Sequence, residues 1–240
     1  MFRHKGKNRS YVHNLRLAAL LSFVAGLVNI TGLLSINILT TNLTGHFAYI
    51  SDTLSGKDPQ KALIYVIFIF SFLAGSFITG LLGEIALRKY KNLSYVLPIL
   101  VEIAVLLIAG LSVDLGFSNS SLLACMLLFA MGLQNSLVTR VSQSVVRTTH
   151  LTGLFTDLGI ELSQLFFYQK DSQRFFLRKS ISLKMSVVLF FFLGGLTGGY
   201  CYKYLALKTL FIGCAILLVA LLYDFILLKY YHVRRRVFHH

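Results

Sequence analysis

The sequence has no tryptophan, two prolines and three cysteines in 240 residues, and only nine acidic side chains. Charged residues of either sign make up 13% of the chain, whereas a soluble domain carries roughly 25%. So few charges cannot cover a water-facing surface, which excludes a soluble globular protein. With 56% hydrophobic residues and a mean hydropathy of +0.72, the chain reads as an integral membrane protein. In the absence of tryptophan, twelve tyrosines and twenty phenylalanines supply the interfacial and lipid-facing aromatics. Cys125, Cys201 and Cys214 all lie inside apolar runs without metal-ligand spacing. That excludes a disulfide framework and leaves three buried thiols.

Catalytic signatures are also missing. There is no Gly-x-Ser-x-Gly, no His-Glu-x-x-His and no phosphate loop. The expectation is no enzyme, no cofactor and no metal. Of the histidines, His4, His13, His232, His239 and His240 are near the ends, and His46 with His150 alone makes a thin metal pair. The formal net charge of +14 does not point to nucleic acid. The basic residues cluster at the ends of apolar runs, where they orient a membrane protein and attract anionic lipid head groups.

What is present is a phrase used twice. Thr40-Thr41-Asn42-Leu43-Thr44-Gly45 recurs as Thr148-Thr149-His150-Leu151-Thr152-Gly153. Upstream, Phe23, Gly26, Leu27 and Asn29 align with Phe129, Gly132, Leu133 and Asn135; downstream, Leu54-Ser55 aligns with Leu162-Ser163. Phe72-Leu73-Ala74-Gly75 resembles Phe192-Leu193-Gly194-Gly195 and extends the duplication. The chain is one membrane domain, 1–240, with internal repeats of about 15–113 and 121–228.

A bilayer crossing takes about 20 mostly apolar residues. Six runs qualify: 15–36, 62–87, 93–113, 121–138, 185–205 and 210–228. Two shorter stretches, 44–55 and 151–168, each open on a Thr suited to N-capping a helix and followed by Gly. Basic residues then set the orientation. Arg3, Lys5, Lys7, Arg9 and Arg16 start the chain; Arg88, Lys89 and Lys91 separate the second and third spans. Lys170, Arg174, Arg178, Lys179 and Lys184 precede the fifth span, and Lys229, Arg234, Arg235 and Arg236 end the chain. The link 114–120 has none. Six crossings with both termini in the cytoplasm put every basic cluster inside and the bare link outside. The basic start leads into a run longer than a signal h-region, which fits an uncleaved first span.

Three crossings per repeat make the second copy enter from the opposite side. The predicted fold is therefore an all-α, polytopic transmembrane helical bundle, six spans as a 3+3 inverted repeat, with two short re-entrant or broken helices. The two Thr-Gly phrases are expected to face one another inside the bundle. Gly194 with Gly198 and Gly195 with Gly199 form small-xxx-small pairs. These serve as seams within one chain, or alternatively as a homo-oligomer contact.

The phrases Phe23-Val24-Ala25-Gly26-Leu27-Val28-Asn29, Leu43-Thr44-Gly45, Ala130-Met131-Gly132-Leu133-Gln134-Asn135 and Val146-Arg147-Thr148-Thr149, with Leu151-Thr152-Gly153 and Thr156-Asp157-Leu158-Gly159, resemble the YoaK family. The resemblance covers most of the chain. It implies a six-span bacterial inner-membrane protein, multi-pass, and no settled activity. Relatives usually carry Asp where this chain has Asn29, and Asn where it has His46. If that Asp carries protons in relatives, this chain has lost or moved the site.

Ionisable groups at membrane depth are costly and default to functional candidates. Glu102, mid-span, is either a protonated or hydrogen-bonded structural carboxyl or part of an ion or proton path. Glu84 and Asp224 lie toward span ends. Asp157 and Glu161 share a helix face with His150, Gly153 and Gln164, opposite Leu154, Phe155, Leu158, Leu162, Leu165 and Phe166. That stripe belongs either to an interfacial helix or to the wall of a polar cavity. Tyr49 and Thr53 take the matching places in the first copy. Arg140 and Arg147 follow the fourth span. The candidate solute site comprises Asn29, Thr44, Gly45, Gln134, Asn135, Arg147, Thr152 and Gly153; Glu102, Asp157 and Glu161 are the coupling candidates. The functional expectation is a small secondary-transporter-like or channel-like protein for a small solute, of anionic type if the helix N-termini converge. The alternative is a structural or regulatory membrane protein that binds anionic lipid or a protein partner.

Overall fold

A computed structural model describes residues 10–89, 94–112, 114–116, 119–142, 144–168 and 170–237, with side chains to residue 226 except Lys89. The expected charges at Arg3, Lys5, Lys7, Arg9, Lys89, Lys91, Lys229, Arg234, Arg235 and Arg236 lie outside the described side chains. Among the described residues the chain is all-helical: α1 (Tyr11–Ile36), α2 (Leu43–Ser55), α3 (Pro59–Lys89), α4 (Val96–Gly110), α5 (Ser120–Ser142), α6 (Leu151–Phe167), α7 (Asp171–Leu205) and α8 (Leu210–Val237). A 3-10 turn, Ala206–Thr209, joins α7 to α8.

Each of the six expected runs forms a helix, and the two short stretches form α2 and α6. By length and apolar composition, Tyr11–Ile36, Pro59–Arg88, Ser120–Ser142 and the stretch Asp171–Ile226 are able to cross a membrane. The last of these contains α7 and most of α8, broken at Ala206, whose φ is +47°. The 15-residue Val96–Gly110 is apolar but shorter; at 1.5 Å per residue it reaches about 22 Å, less than a 30 Å hydrocarbon core.

Helices α1 and α5 form the centre, with Leu17, Leu21, Leu27, Leu127, Leu128 and Met131 fully buried. Each is flanked by helices from the other half of the sequence. Helix α1 packs on α7 and α8, and α5 packs on α3 and α4. The two heaviest pairings, α1 with α7 and α3 with α5, rest on the same device. A Cβ built on Gly26 would overlap the Phe191 carbonyl oxygen, and one on Gly194 would overlap that of Phe23. In the other seam, Gly75 lies on the Phe129 carbonyl and Gly132 on that of Phe72. Lipid is as apolar as leucine, so close main-chain approach is what holds such pairs together. Across α3–α5, Ser76 and Thr79 also donate to the Gly132 and Leu133 carbonyls, both at 3.1 Å.

The register of the duplication follows. Phe72-x-x-Gly75 corresponds to Phe191-x-x-Gly194, one residue earlier than the expected match to Phe192–Gly195. A Cβ built on Gly195 would meet only the Gly26 carbonyl oxygen among the described residues, at 3.9 Å.

Contacts along the helices give their directions. Tyr11 lies under Lys179, Phe23 against Gly194 and Ile30 against Gly198, so α1 and α7 run parallel. Helices α3 and α5 are also parallel, from the Phe72–Gly132 contact to the Glu84–Arg140 ion pair at 2.7 Å. The equivalent helices oppose each other. Gln134 Nε2 donates to the Leu21 carbonyl at 2.6 Å while Leu127 sits at Gly32, so α1 and α5 are antiparallel. Cys214 contacts the Ile103 carbonyl at 3.7 Å while Phe211 sits at Gly110, so α4 and α8 are antiparallel too.

Candidate functional site

Each short helix hairpins back onto the long helix that follows it: α2 onto α3 and α6 onto α7. Lys57, at φ +58°, turns the first hairpin, and Asp58 begins α3 by accepting the Lys61 N–H at 3.1 Å and its ammonium at 3.0 Å. The expected meeting of the two Thr-Gly phrases is not what the structure contains. The phrases follow the C-terminal ends of α1 and α5, and those helices are antiparallel, so the breaks fall at opposite ends of the bundle. No substantial packing joins α2 to α6 among the described residues.

The Thr that was expected to cap each short helix sits one residue inside it. The cap positions are Asn42 and His150. Asn42 Oδ1 accepts the Gly45 N–H at 3.1 Å and the Thr44 hydroxyl at 2.9 Å, because an amide oxygen reaches the first-turn donors. His150 makes no such bond, and its ring lies over Gly153. The first Thr of each phrase, Thr40 and Thr148, is fully buried. Asn29 Oδ1 accepts the Thr41 hydroxyl at 3.0 Å and the Thr41 N–H at 3.2 Å, so it fastens the break to α1. Gln134 spends its amide N–H on the Leu21 carbonyl, while the side-chain oxygens of Gln134 and Asn135 have no partner among the described residues.

Part of the second-copy set does come together. Arg147, His150, Gly153 and Asp157 line one cavity of about 250 Å³ with Ser144 and Lys184. In the sequence Lys184 reads only as an orienting charge. Its ammonium lies 2.6 Å from Glu161 and 3.6 Å from Asp157. Ser180 donates to the same Glu161 oxygen at 2.6 Å. The signal for this was available: Lys184 immediately precedes an apolar run, and the acidic stripe of α6 needed a partner. Asp157 thus lines a polar cavity, and Glu161 pairs with Lys184 beside it. Thr152 is exposed, outside that lining.

The first half keeps the same places and different chemistry. Seven residues before Phe72 stands Tyr65, and seven before Phe191 stands Lys184. Tyr49 stacks on Tyr65 at 5.1 Å, where the second half pairs Asp157 with Lys184. Tyr65 also packs on Phe68 and on His46, which is buried. Burial pushes the His46 imidazole below its ordinary range, against a smaller opposing pull from the Leu39 main chain. A smaller cavity of about 190 Å³ opens beside this cluster, lined by Ile38, Lys61, Tyr65 and Ser120 among others. His46 and His150, being in α2 and at the head of α6, are not brought together.

Glu102 stands apart from both pockets. It is fully buried in α4, and neither carboxyl oxygen has a hydrogen-bond partner among the described residues. Asp224 is also buried, on α8. At the opposite end of the bundle from Lys184, Lys208 in the 3-10 turn pairs with Asp114 of the α4–α5 link at 2.9 Å.

Residues 17–223 match the family described as "Protein of unknown function (DUF1275)", and the chain belongs to it. It is 24% identical over 177 residues to the UPF0700 transmembrane protein YoaK of Bacillus subtilis (strain 168), an alignment covering 72% of this chain and 78% of that protein. No solved structure matches the chain. The protein is a helical membrane protein of this family.

Proposed function

We propose that this protein is a small, transporter-like carrier without enzymatic activity, built as a 3+3 inverted repeat of six crossings in a bacterial cytoplasmic membrane. Both termini lie inside. The antiparallel pairing of equivalent helices, α1 with α5 and α4 with α8, supports the inversion. Inverted repeats are a common plan among secondary transporters. The basic residues Arg16, Arg140, Arg147, Arg174, Arg178 and Lys179 belong to the end that faces the cytoplasm and its anionic lipids.

The observation that carries the solute-handling reading is the cavity framed by Arg147, Asp157 and Lys184, at the end of α5 where the chain breaks. Instead of one central site between the two phrases, the solute meets one pocket per half, on opposite faces. The two pockets are not equivalent: the second is ionic and the first aromatic. Glu102 is the candidate for coupling, a buried carboxyl with no hydrogen-bond partner among the described residues.

Reconstitution into proteoliposomes with a metabolite panel tests this. Wild-type protein is expected to carry at least one solute, and Arg147→Gln or Asp157→Asn to abolish that flux with insertion and unfolding midpoint unchanged. The separation of α2 from α6 favours a second reading, in which the protein is structural or regulatory and the breaks only close the bundle. Absence of flux from correctly inserted protein across the panel would sink the first reading in favour of the second.

A further inference from the structure

The charges of the second-half pocket are not used up by its own ion pairs. Lys184 is committed to Glu161 at 2.6 Å, and each of these side chains keeps only 17% of its surface in solvent. Asp157 shares that ammonium at 3.6 Å and is 57% exposed. One lysine serves two carboxylates, so Asp157 holds the surplus negative charge. Arg147 lines the same cavity, is exposed, and pairs with no carboxylate among the described residues.

The start of α6 adds to the Arg147 side. No side chain caps it among the described residues, whereas Asn42 caps α2 at the equivalent place. Uncapped first-turn amides and the positive end of the helix dipole favour an anionic group, and Gly153, with the His150 ring lying over it, forms that part of the cavity wall. The volume of about 250 Å³ falls below the 300–1,000 Å³ usual for drug-sized ligands, so the occupant is small. A simple anion would satisfy Arg147 and oppose Asp157; a simple cation would do the reverse.

We infer that this pocket binds a small α-amino acid as its zwitterion, the carboxylate on Arg147 and the α6 amides and the ammonium on Asp157. The inference names the solute class of the carrier reading and rests on that reading for its role, but binding itself needs no flux. Purified protein in detergent is titrated calorimetrically with L-alanine, and separately with propionate and ethylamine, which carry one charged group each. L-alanine is expected to bind, and each single-charge compound to bind about tenfold more weakly, or worse. Arg147→Gln weakens L-alanine about tenfold. Asp157→Asn reverses the preference, so that propionate binds at least as well as L-alanine, an outcome that loosened packing would not produce. Arg147→Lys serves where the glutamine variant disturbs folding. No binding of millimolar L-alanine overturns the inference, as does propionate matching it on the wild type or full affinity in Arg147→Gln. Binding without flux leaves the pocket assigned and removes the carrier reading. Flux of another solute that both variants leave intact keeps the carrier and removes the pocket.

Discussion

Replacing Gly194 with alanine drives a methyl group into the main chain of α1. The new carbon would sit 2.7 Å from the Phe23 carbonyl carbon and 2.9 Å from its Cα, and overlap the carbonyl oxygen. Carbon atoms in good contact stand about 3.5–4.0 Å apart, so the helices must separate by about 1 Å. Nothing flexible is available to yield, since all three neighbours are backbone. Separation also loosens the reciprocal contact of Gly26 on Phe191. Overpacking costs about 1–3 kcal/mol, and a two-sided backbone seam belongs at the upper end. Alanine returns up to about 1 kcal/mol of helix propensity, leaving a net loss of about 2 kcal/mol. Gly80 has open space where its Cβ would be, so Gly80→Ala keeps the propensity gain and is neutral or stabilising. Unfolding by SDS titration of the protein in mild detergent, followed by circular dichroism, reads the difference. Gly26→Ala with Gly194→Ala should cost less than the sum of the two, because one separation relieves both, while Gly132→Ala with Gly194→Ala, on separate seams, should add. If Gly194→Ala falls within about 0.5 kcal/mol of Gly195→Ala, the seam is not what holds α1 to α7.

Lys184→Met strands Glu161 and releases α6 from α7, at a cost of about 1–3 kcal/mol after allowance for partial exposure. Hydrogen exchange in α6 should rise, and Glu161→Leu in the same background should restore most of the protection. With Cys125, Cys201 and Cys214 replaced by serine, an impermeant maleimide applied to whole cells should label Asp114→Cys and spare Arg178→Cys; the opposite pattern reverses the orientation. Hydrogen bonds from the Lys61 N–H and ammonium hold the Asp58 carboxyl below its ordinary range. Its contribution is therefore complete above the unfolded-state pKa and is lost as pH falls through the lowered folded value. The Lys61 amide should exchange faster on acidification, and Asp58→Asn should remove that step. Glu102→Gln takes away an acid that has no hydrogen-bond partner among the described residues, with little change of shape, so the unfolding midpoint should hold while any dependence of flux on the proton gradient disappears.

The helices were legible because their signals are local. Apolar length marked every long helix, and the repeated phrase marked both breaks. Two features were not. The first is where the breaks go. A sequence repeat says that two segments are alike, and their meeting depends on which helix each one folds onto. A turn of three residues, Gly56 to Asp58, commits α2 to α3, and the short link before Asp171 commits α6 to α7. The second is the partner of the acidic stripe. Lys184 reads as one charge in a basic cluster, and only the seven-residue interval back from Phe191 sets it opposite Asp157. The sequence places the glycine register one residue late, because Gly194 and Gly195 are adjacent and only the packed structure distinguishes the one under a carbonyl from the one beside it.

The duplication also explains why the two pockets differ. The Phe-x-x-Gly seams must be kept in both halves, since each glycine of one half lies under a carbonyl of the other. A change in either copy would open the α1–α7 or α3–α5 seam. Tyr65 and Lys184, two turns before the seam phenylalanines, and the short-helix residues that face them carry no such mutual constraint. There Tyr49 and Tyr65 stack in one half, while Asp157 and Lys184 pair in the other. The same backbone place thus takes an aromatic pair at one end and an ion pair at the other. Because α1 and α5 are antiparallel, those ends are opposite. An ion pair at one end and a stacked aromatic pair at the other make the two ends of the bundle chemically unlike. Exchanging the sets, Tyr49→Asp, Thr53→Glu and Tyr65→Lys in one half and Asp157→Tyr, Glu161→Thr and Lys184→Tyr in the other, leaves no buried carboxylate without its lysine; it should therefore preserve the fold and move the proposed amino-acid binding to the other end of the bundle only if Arg147 is moved with them.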